Sequence, residues 1–162
     1  MRLSKSRLVL SIRIRACGII ERNGSIAMVE LHSPVINEPI WMPPGGGVNK
    51  GESLYEAVKR ECFEEVKLSV EPTTLMYLHE LIKGNIHVLE YYFKCELLEG
   101  TLALGSDPER MENPLLLDAK WVSIADLSGN EMIRPEFLRN ELSTDLLNWN
   151  GSTRFFPQSS NP

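Results

Sequence analysis

Three glutamates, Glu61, Glu64 and Glu65, lie close together in the middle of the chain. On an α-helix, which turns by about 100° per residue, they share about one third of the circumference. Like charges three and four residues apart destabilise a helix by roughly 0.2–0.5 kcal/mol per pair, so the cluster needs opposite charges or a bound cation. Two interpretations follow: a metal-binding face, or a solvated face on which Arg60 pairs with Glu56 and Glu64.

A glycine-rich segment precedes this cluster. It runs from Trp41 through two prolines to Gly45, Gly46 and Gly47, and Glu52 follows soon after. Such a loop can bring backbone groups close to a ligand. With carboxylates one helical turn further on, it gathers backbone oxygens and acidic side chains around one point, the all-oxygen environment that Mg²⁺ prefers.

The element that must carry the glutamates is predicted to be a helix from Ser53 to about Lys67. Ser53 and Glu56 form the pattern of a capping box, in which each side chain satisfies a backbone N–H of the other residue. Apolar residues recur every four positions and indicate one buried stripe. Its members are Leu54, Val58, Cys62 and Val66, joined by Tyr55.

Strands are predicted on both sides of this helix. The apolar stretches are Leu8 to Ile20, Ser25 to Leu31, Leu75 to Ile82, Ile86 to Leu97 and Ala119 to Ile124. Asn23-Gly24 is typical of a hairpin turn between the first two. A second helix is predicted from Pro135 to Leu147, with an apolar side made of Phe137, Leu138, Leu142, Leu146 and Leu147. This order favours a mixed sheet covered by helices.

Length and composition indicate one domain, residues 1–150, followed by a polar tail, residues 151–162, that we expect to be partly disordered. With 43% hydrophobic and 24% charged residues the composition is typical of a soluble globular protein. No unbroken apolar run approaches the roughly eighteen residues that a membrane span needs, so we expect none. Arg13 and Arg15 interrupt the apolar core that a signal peptide needs, so we expect no export and a cytoplasmic location. The net charge of -5 argues against a broad nucleic-acid surface.

The three cysteines, Cys17, Cys62 and Cys95, are widely spaced and form no C-x-x-C pair. They are interpreted as small buried apolar residues in a reducing cytosol. The three histidines, His32, His79 and His87, show no metal-ligand spacing and are interpreted as structural or exposed residues.

Six residues stand at the spacing of a known motif: Gly46, Glu52, Arg60, Glu61, Glu64 and Glu65. The stretch from Gly46 to Leu68 thereby resembles the Nudix box, G-x5-E-x7-R-E-U-x-E-E-x-G-U, where U is aliphatic. The strand from Arg15 to Ile20 and the segment Lys120-Trp121-Val122 are similar to the family framework. Two positions depart from the pattern. Cys62 replaces an aliphatic residue, and Lys67 replaces the glycine that ends the helix in a left-handed conformation, at a cost of about 1–2 kcal/mol.

The resemblance implies an α/β/α sandwich with a mixed β-sheet and a Mg²⁺-dependent hydrolase, with Mn²⁺ as a substitute ion. The substrate would be a small-molecule nucleotide or related diphosphate, whose phosphorus is attacked by water. It assigns the metal to Glu61, Glu64 and Glu65, with a backbone carbonyl of Gly45 or Gly46 as a further ligand. Glu52 and Arg60 would form an ion pair that orients the helix against the loop.

Several roles stay open at this point. The general base is Glu61 or Glu64, or a later carboxylate among Glu109, Glu112 and Asp118. Arg13 and Arg15 are candidates for binding a substrate phosphate, against ordinary surface roles. Trp41 either stacks on a base or plugs the loop against the core.

Three other functions compete with hydrolysis. A non-catalytic, nucleotide-sensing regulatory domain of the same fold is the main alternative, although the intact carboxylates argue against it. An isoprenoid diphosphate isomerase needs a cysteine and glutamate pair that is not identifiable in this sequence. A purely structural domain would have an acidic helix that is only a solvated face. The sequence is compatible with a homodimer but does not establish one.

Overall fold

The computed structural model describes residues 11–33, 35–106 and 116–159. Within these residues the strands are β1 (Ile12–Arg22), β2 (Ser25–Ser33), β3 (Glu38–Met42), β4 (Gly45–Gly47), β5 (Ser69–Lys83), β6 (Ile86–Glu99), β7 (Leu116–Ser123) and β8 (Arg154–Ser159). The helices are α1 (Leu54–Val66) and α2 (Glu136–Asn148), and a short 3-10 turn spans Ile124–Asp126. Neither α-helix in these ranges has the length and apolar character of a membrane-spanning segment.

All of these strands belong to one mixed sheet. Its main order is β3-β2-β1-β6-β5-β8, while β4 pairs with β1 and β7 pairs with β2. The pairs β1/β6 and β5/β8 are parallel, whereas β1/β2, β2/β3, β2/β7, β5/β6 and β1/β4 are antiparallel. The predicted hairpin at Asn23-Gly24 is confirmed, because both residues have positive φ angles, 51° and 73°, as a tight hairpin turn requires.

The helices cover opposite faces of the sheet. Tyr92 and Phe93 are neighbours on β6, and successive side chains of a strand point to opposite faces. The Tyr92 ring packs edge-on against Phe137 of α2, while the Phe93 ring packs edge-on against Tyr55 of α1. The predicted α/β/α sandwich with a mixed sheet is therefore confirmed.

Helix α1 begins and ends as predicted. Ser53 is the N-cap with a complete capping box to Glu56, and Lys67 ends the helix in the left-handed conformation at φ 60° and ψ 27°. Val58, Cys62 and Val66 are fully buried. The assignment of Tyr55 to the buried stripe was wrong: its side chain is largely exposed, and its ring only covers the edge of Phe93.

Two predictions near the C-terminus need correction. Leu147 is exposed, because a stripe built from Leu138 and Leu142 has turned away from it five residues later. The expectation of disorder after residue 150 was wrong for Arg154–Ser159, which form β8 beside β5. Arg154 anchors this strand to α2 through Glu141 at 2.9 Å and Asp145 at 2.7 Å.

Candidate active site

Arg60 of α1 joins the helix to the glycine segment. Its guanidinium makes two hydrogen bonds with the Glu52 carboxylate, from Nε to Oε1 at 2.7 Å and from Nη2 to Oε2 at 3.0 Å. Nη2 also donates to the Gly47 carbonyl at 2.9 Å. The predicted Arg60–Glu52 ion pair is thereby confirmed, and the hydrogen bonds from Arg60 lower the pKa of Glu52.

The same guanidinium also contacts two glutamates of the acidic cluster. Nη1 donates to Glu61 Oε1 at 2.7 Å and to Glu64 Oε2 at 3.1 Å. On a solvated face Arg60 was expected to pair with Glu56 and Glu64, but the Glu56 carboxylate instead accepts the Ser53 backbone N–H. Glu61 and the neighbouring Glu65 are 8% and 6% exposed, so the cluster is not a solvated face.

Glu61 occupies space that exists only because residue 46 is glycine. A Cβ atom on Gly46 would collide with the Glu61 carboxylate. Burial raises the pKa of Glu61, and the hydrogen bond and charge of Arg60 offset this only in part. The ionised form of Glu61 is therefore incompletely compensated within the protein.

Gly45 is held at both of its polar backbone atoms. Its N–H donates to Glu65 Oε2 at 2.9 Å, and its carbonyl accepts from Arg15 Nη2 at 2.9 Å. A Cβ atom at this position would lie 2.5 Å from the Ala16 carbonyl oxygen. Only glycine therefore fits where β4 passes between β1 and α1.

A second buried cluster of polar side chains surrounds Glu90 on β6, opposite Arg15 in the β1/β6 register. Glu90 Oε1 lies 3.4 Å from Arg15 Nε, while Oε2 interacts with His79 Nδ1 at 2.9 Å and accepts from the Tyr92 hydroxyl at 3.1 Å. Burial works to raise the pKa of Glu90, but His79, Arg15 and Tyr92 together lower it below the usual range. Burial and Glu90 itself raise the pKa of the Tyr92 hydroxyl.

The sequence did not predict that Glu90 lies in the same cleft as Glu61 and Glu65. The one signal was an acidic residue inside the apolar run from Ile86 to Leu97. Its partners, Arg15 and His79, come from two other strands, so no local spacing connects the three residues. His79 is deeply buried, in agreement with its interpretation as a structural histidine.

The two clusters line one cleft with a volume of about 950 Å³. Glu61, Glu65 and the glycines of β4 contribute to its wall together with Arg13, Arg15, His79 and Glu90. A stacked aromatic pair, Phe137 and Phe156 with ring centroids 4.3 Å apart, extends this wall. The volume falls within the range of pockets that hold a small molecule.

Trp41 is not among the residues that line the cleft. It is 4% exposed, its backbone hydrogen-bonds with Met132 and Arg134, and Lys120 Nζ lies 4.0 Å from its ring centroid. This environment favours the packing role of Trp41 over stacking on a base.

The three later candidates for the general base are Glu109, Glu112 and Asp118. Glu109 and Glu112 fall outside the described residues. Asp118 is exposed on β7, its carboxylate accepts the Ala119 N–H at 2.8 Å, and it does not line the cleft. Among the described base candidates, Glu61 is therefore the one in the cleft wall.

The predicted metal ligands share a region but do not form a preassembled cage. In the described residues no group of three or more histidine, cysteine, aspartate or glutamate side chains is arranged to hold a metal ion. The reason is that Arg60 draws Glu61 and Glu64 toward itself, while the Gly45 N–H holds Glu65. The donors nevertheless fit a hard divalent cation, because all are oxygens and the buried Glu61 charge lacks full compensation.

All three cysteines are buried, as expected. Cys62 faces the sheet at Gly18, where an added Cβ atom would lie 2.7 Å from its sulfur. Burial raises the pKa of each thiol, which keeps all three protonated and unreactive. Replacement of the usual aliphatic residue by Cys62 thus preserves the core.

Comparison with known proteins agrees with this geometry. A nudix hydrolase of Caenorhabditis elegans is 34% identical over 92 residues, which cover 57% of this chain and 23% of that protein. An ADP-ribose pyrophosphatase of Methanocaldococcus jannaschii is 30% identical over 115 residues, 68% of this chain and 66% of that one. This chain therefore spans less than two thirds of the length of both relatives.

The fold has close structural counterparts. The crystal structure of a NUDIX hydrolase from Nitrosomonas europaea superposes with a TM-score of 0.70, over 90% of this chain and 78% of that one. Its sequence is 16% identical, so this similarity concerns the fold alone. The family model of the NUDIX domain matches residues 12–140, which include β1 to β7, α1 and the start of α2. The chain belongs to the NUDIX domain family.

Proposed function

We propose that this chain is a Mg²⁺-dependent pyrophosphohydrolase. It cleaves the diphosphate linkage between a nucleoside and another moiety by attack of water at phosphorus. The main support is the buried, incompletely compensated carboxylate of Glu61, which faces a cleft of small-molecule size beside the glycines of β4. Perturbed carboxylates in a cleft are typical of catalytic sites.

Nudix hydrolases generally use divalent metal ions. In this chain Glu61, Glu64 and Glu65 would hold the ion, with the carbonyl of Gly45 or Gly46 as a backbone ligand. When bound, Mg²⁺, or Mn²⁺ in its place, neutralises the diphosphate oxygens that repel a nucleophile.

The protein's own groups supply orientation and proton transfer. Glu61 is the base that we favour, because among the described candidates it is the carboxylate in the wall of the cleft. Arg60 and Glu52 fix α1 against the Gly47 carbonyl and so set the distance between helix and loop. The Arg13 side chain is exposed at the wall of the cleft, where it is accessible to a substrate phosphate.

The substrate class is a nucleoside diphosphate derivative. The relative from Methanocaldococcus jannaschii is named an ADP-ribose pyrophosphatase, which makes ADP-ribose the first compound to assay. A cleft of about 950 Å³ has room for two moieties joined by a diphosphate. We place the reaction in the cytoplasm.

The direct test is hydrolysis of a phosphoanhydride panel, with ADP-ribose, nucleotide sugars, nucleoside triphosphates and dinucleoside polyphosphates, in Mg²⁺ and in Mn²⁺. Running the reaction in ¹⁸O-water and locating the label in a phosphate product establishes attack at phosphorus. Failure to hydrolyse any compound would leave the nucleotide-sensing domain as the better description, and nucleotide binding without turnover would support it.

The carboxylates are tested by Glu61→Gln and Glu65→Gln, which keep size and hydrogen-bonding capacity while removing charge. Each is expected to lower kcat by roughly a hundredfold or more, about 3 kcal/mol in the activation barrier. Glu71→Gln is the matched control, because Glu71 pairs with Lys59 on an exposed surface of the α1/β5 contact. Unchanged kcat in both cleft variants would rule out catalysis by this helix.

A further inference from the structure

We propose that Glu90 is a positioning residue, which acts through Arg15 to fix the direction of the Gly45 carbonyl opposite the carboxylates of α1. Arg15 is then a second positioning residue and not a ligand of the substrate phosphate. The inference rests on the proposed hydrolysis for its kinetic consequence, whereas the geometric consequence stands independently of it.

The N–H and the carbonyl of Gly45 belong to the two peptide groups that flank its Cα, and each is held by a charged side chain. Glu65 accepts its N–H and Arg15 donates to its carbonyl, both at 2.9 Å. The chain also packs tightly here, since a Cβ on Gly45 would lie 2.5 Å from the Ala16 oxygen and 2.6 Å from the Cys17 Cα. The orientations of these two peptide groups therefore depend on an acidic side chain of α1 and a basic side chain of β1.

Arg15 is itself held in place by the buried carboxylate of Glu90. Its Nε is buried and has no hydrogen bond in the described residues, but it lies 3.4 Å from Glu90 Oε1 as an ion pair. The other Glu90 oxygen is fixed by His79 at 2.9 Å and by the Tyr92 hydroxyl at 3.1 Å. Because all of these partners lie on strands of the sheet, Glu90 is a rigid anchor for the guanidinium.

Arg15 and Arg60 contact the glycine strand β4 in the same way. Arg15 donates to the Gly45 carbonyl and Arg60 donates to the Gly47 carbonyl, each at 2.9 Å. Each arginine is in turn paired with a glutamate, Glu90 in one case and Glu52 in the other. The glycine strand is thus held by one arginine and glutamate pair from the sheet and one from the helix.

A change in the direction of the Gly45 carbonyl is expected to slow the reaction. Misplacement of a reacting group by about 1 Å can cost on the order of a hundredfold in rate. Loss of the Glu90–Arg15 pair releases only one of the two contacts of Gly45, so we expect a smaller fall in kcat, about tenfold. A ligand of the substrate phosphate would affect KM instead.

The experiment compares Arg15→Lys, Arg15→Ala, Glu90→Gln and the double variant Arg15→Ala/Glu90→Gln. Each single variant is expected to lower kcat about tenfold with KM changed less than about threefold, and the double variant should be no slower than Arg15→Ala, because both act on one contact. Arg13→Ala gives the contrast, a raised KM. Lys59→Ala, which removes an exposed ion pair, is the control.

A second readout is independent of hydrolysis. The Gly45 carbonyl shares its peptide group with the Gly46 N–H, so amide hydrogen exchange at Gly46, followed by NMR, is expected to accelerate about tenfold in the Arg15 and Glu90 variants and to be unchanged in Lys59→Ala. Arg15→Lys covers the case in which Glu90→Gln does not fold, since lysine keeps the charge without the forked donors. Wild-type kcat in Arg15→Lys, a KM effect alone in Arg15→Ala, multiplicative losses in the double variant, or unchanged Gly46 exchange would overturn the proposal. If wild type hydrolyses nothing, the proposed function fails while the exchange result still decides the positioning role.

Discussion

Glu61 and Glu90 are equally buried, at 8% exposure each, and each lies beside an arginine in the same cleft. The pKa values of the two carboxyl groups are nevertheless shifted in opposite directions. Burial raises the pKa of Glu61, whereas the pKa of Glu90 lies below its usual range despite burial, because His79 and Arg15 favour the charged form. Burial alone therefore does not decide the charge of a carboxylate.

The difference lies in how many donors serve each carboxylate. Arg60 is shared among Glu52, Glu61 and Glu64, so Glu61 receives one donor of a divided guanidinium. Glu90 is contacted by separate groups from three side chains. A carboxylate with its own partners serves structure, and one left short of partners is available for a ligand or a proton.

The largest effect that this difference predicts is on the free energy of unfolding of variants at Glu90 and Glu61. Glu90→Gln leaves Arg15 buried without its counter-charge and is expected to lower the free energy of unfolding by about 3 kcal/mol. Glu61→Gln relieves repulsion with Glu64 and Glu65 and is expected to leave stability level or raise it by about 0.5 kcal/mol. Denaturant titrations measure both. Equal destabilisation by the two substitutions would show that Glu61 is as fully compensated as Glu90.

The pH dependence of the same two variants sharpens the comparison. The pKa of Glu61 is raised from 4.5, so the cost of its charge develops as pH rises above about 4.5 through the folded-state pKa, and the advantage of Glu61→Gln should grow in that range. The pKa of Glu90 is lowered from 4.5, so its stabilisation is complete above about pH 4.5 and is lost as pH falls through the folded-state pKa. Thermal midpoints of wild type and both variants between pH 3 and 7, roughly the window spanned by these shifts, provide the test. Parallel pH profiles of the three proteins would be incompatible with opposite shifts.

The smallest effect concerns the helix end. Lys67 has φ 60°, so Lys67→Gly is expected to raise the free energy of unfolding by about 1 kcal/mol, reduced somewhat by loss of the Lys67 Nζ bond to the Glu64 carbonyl. Because no carboxylate changes, kcat should stay at its wild-type value. This variant separates a change in the stability of α1 from a change in the charge of Glu61. A lower denaturant midpoint would mean that the lysine contacts outweigh the backbone strain.

The helix side of the site could be predicted from the sequence, because its relationships are local. The capping box at Ser53, the left-handed end at Lys67 and the pairing of Arg60 with Glu52 all follow from spacing within one motif. The sheet side could not. Glu90 meets Arg15 because β1 and β6 are parallel neighbours, and 75 residues separate the two in sequence.

The errors at Tyr55, Leu147 and β8 have related causes. Tyr55 and Leu147 are apolar residues beside a stripe, and tertiary packing decided their exposure. The polar tail became a strand because β5 had a free edge and Arg154 found two carboxylates on α2. Neither the free edge of β5 nor the two carboxylates on α2 can be inferred from the composition of the tail.

The most direct measurement is the effect of Mg²⁺ on the thermal midpoint of wild type, Glu61→Gln and the exposed control Glu71→Gln. An ion that binds only the folded state stabilises it by about 2.7 kcal/mol at a hundredfold excess over its Kd. If Glu61 is left short of partners in order to hold a cation, Mg²⁺ raises the midpoint of wild type and of Glu71→Gln but has little effect on Glu61→Gln. The same rise in all three proteins, or in none of them, would contradict the assignment of Glu61 to the metal.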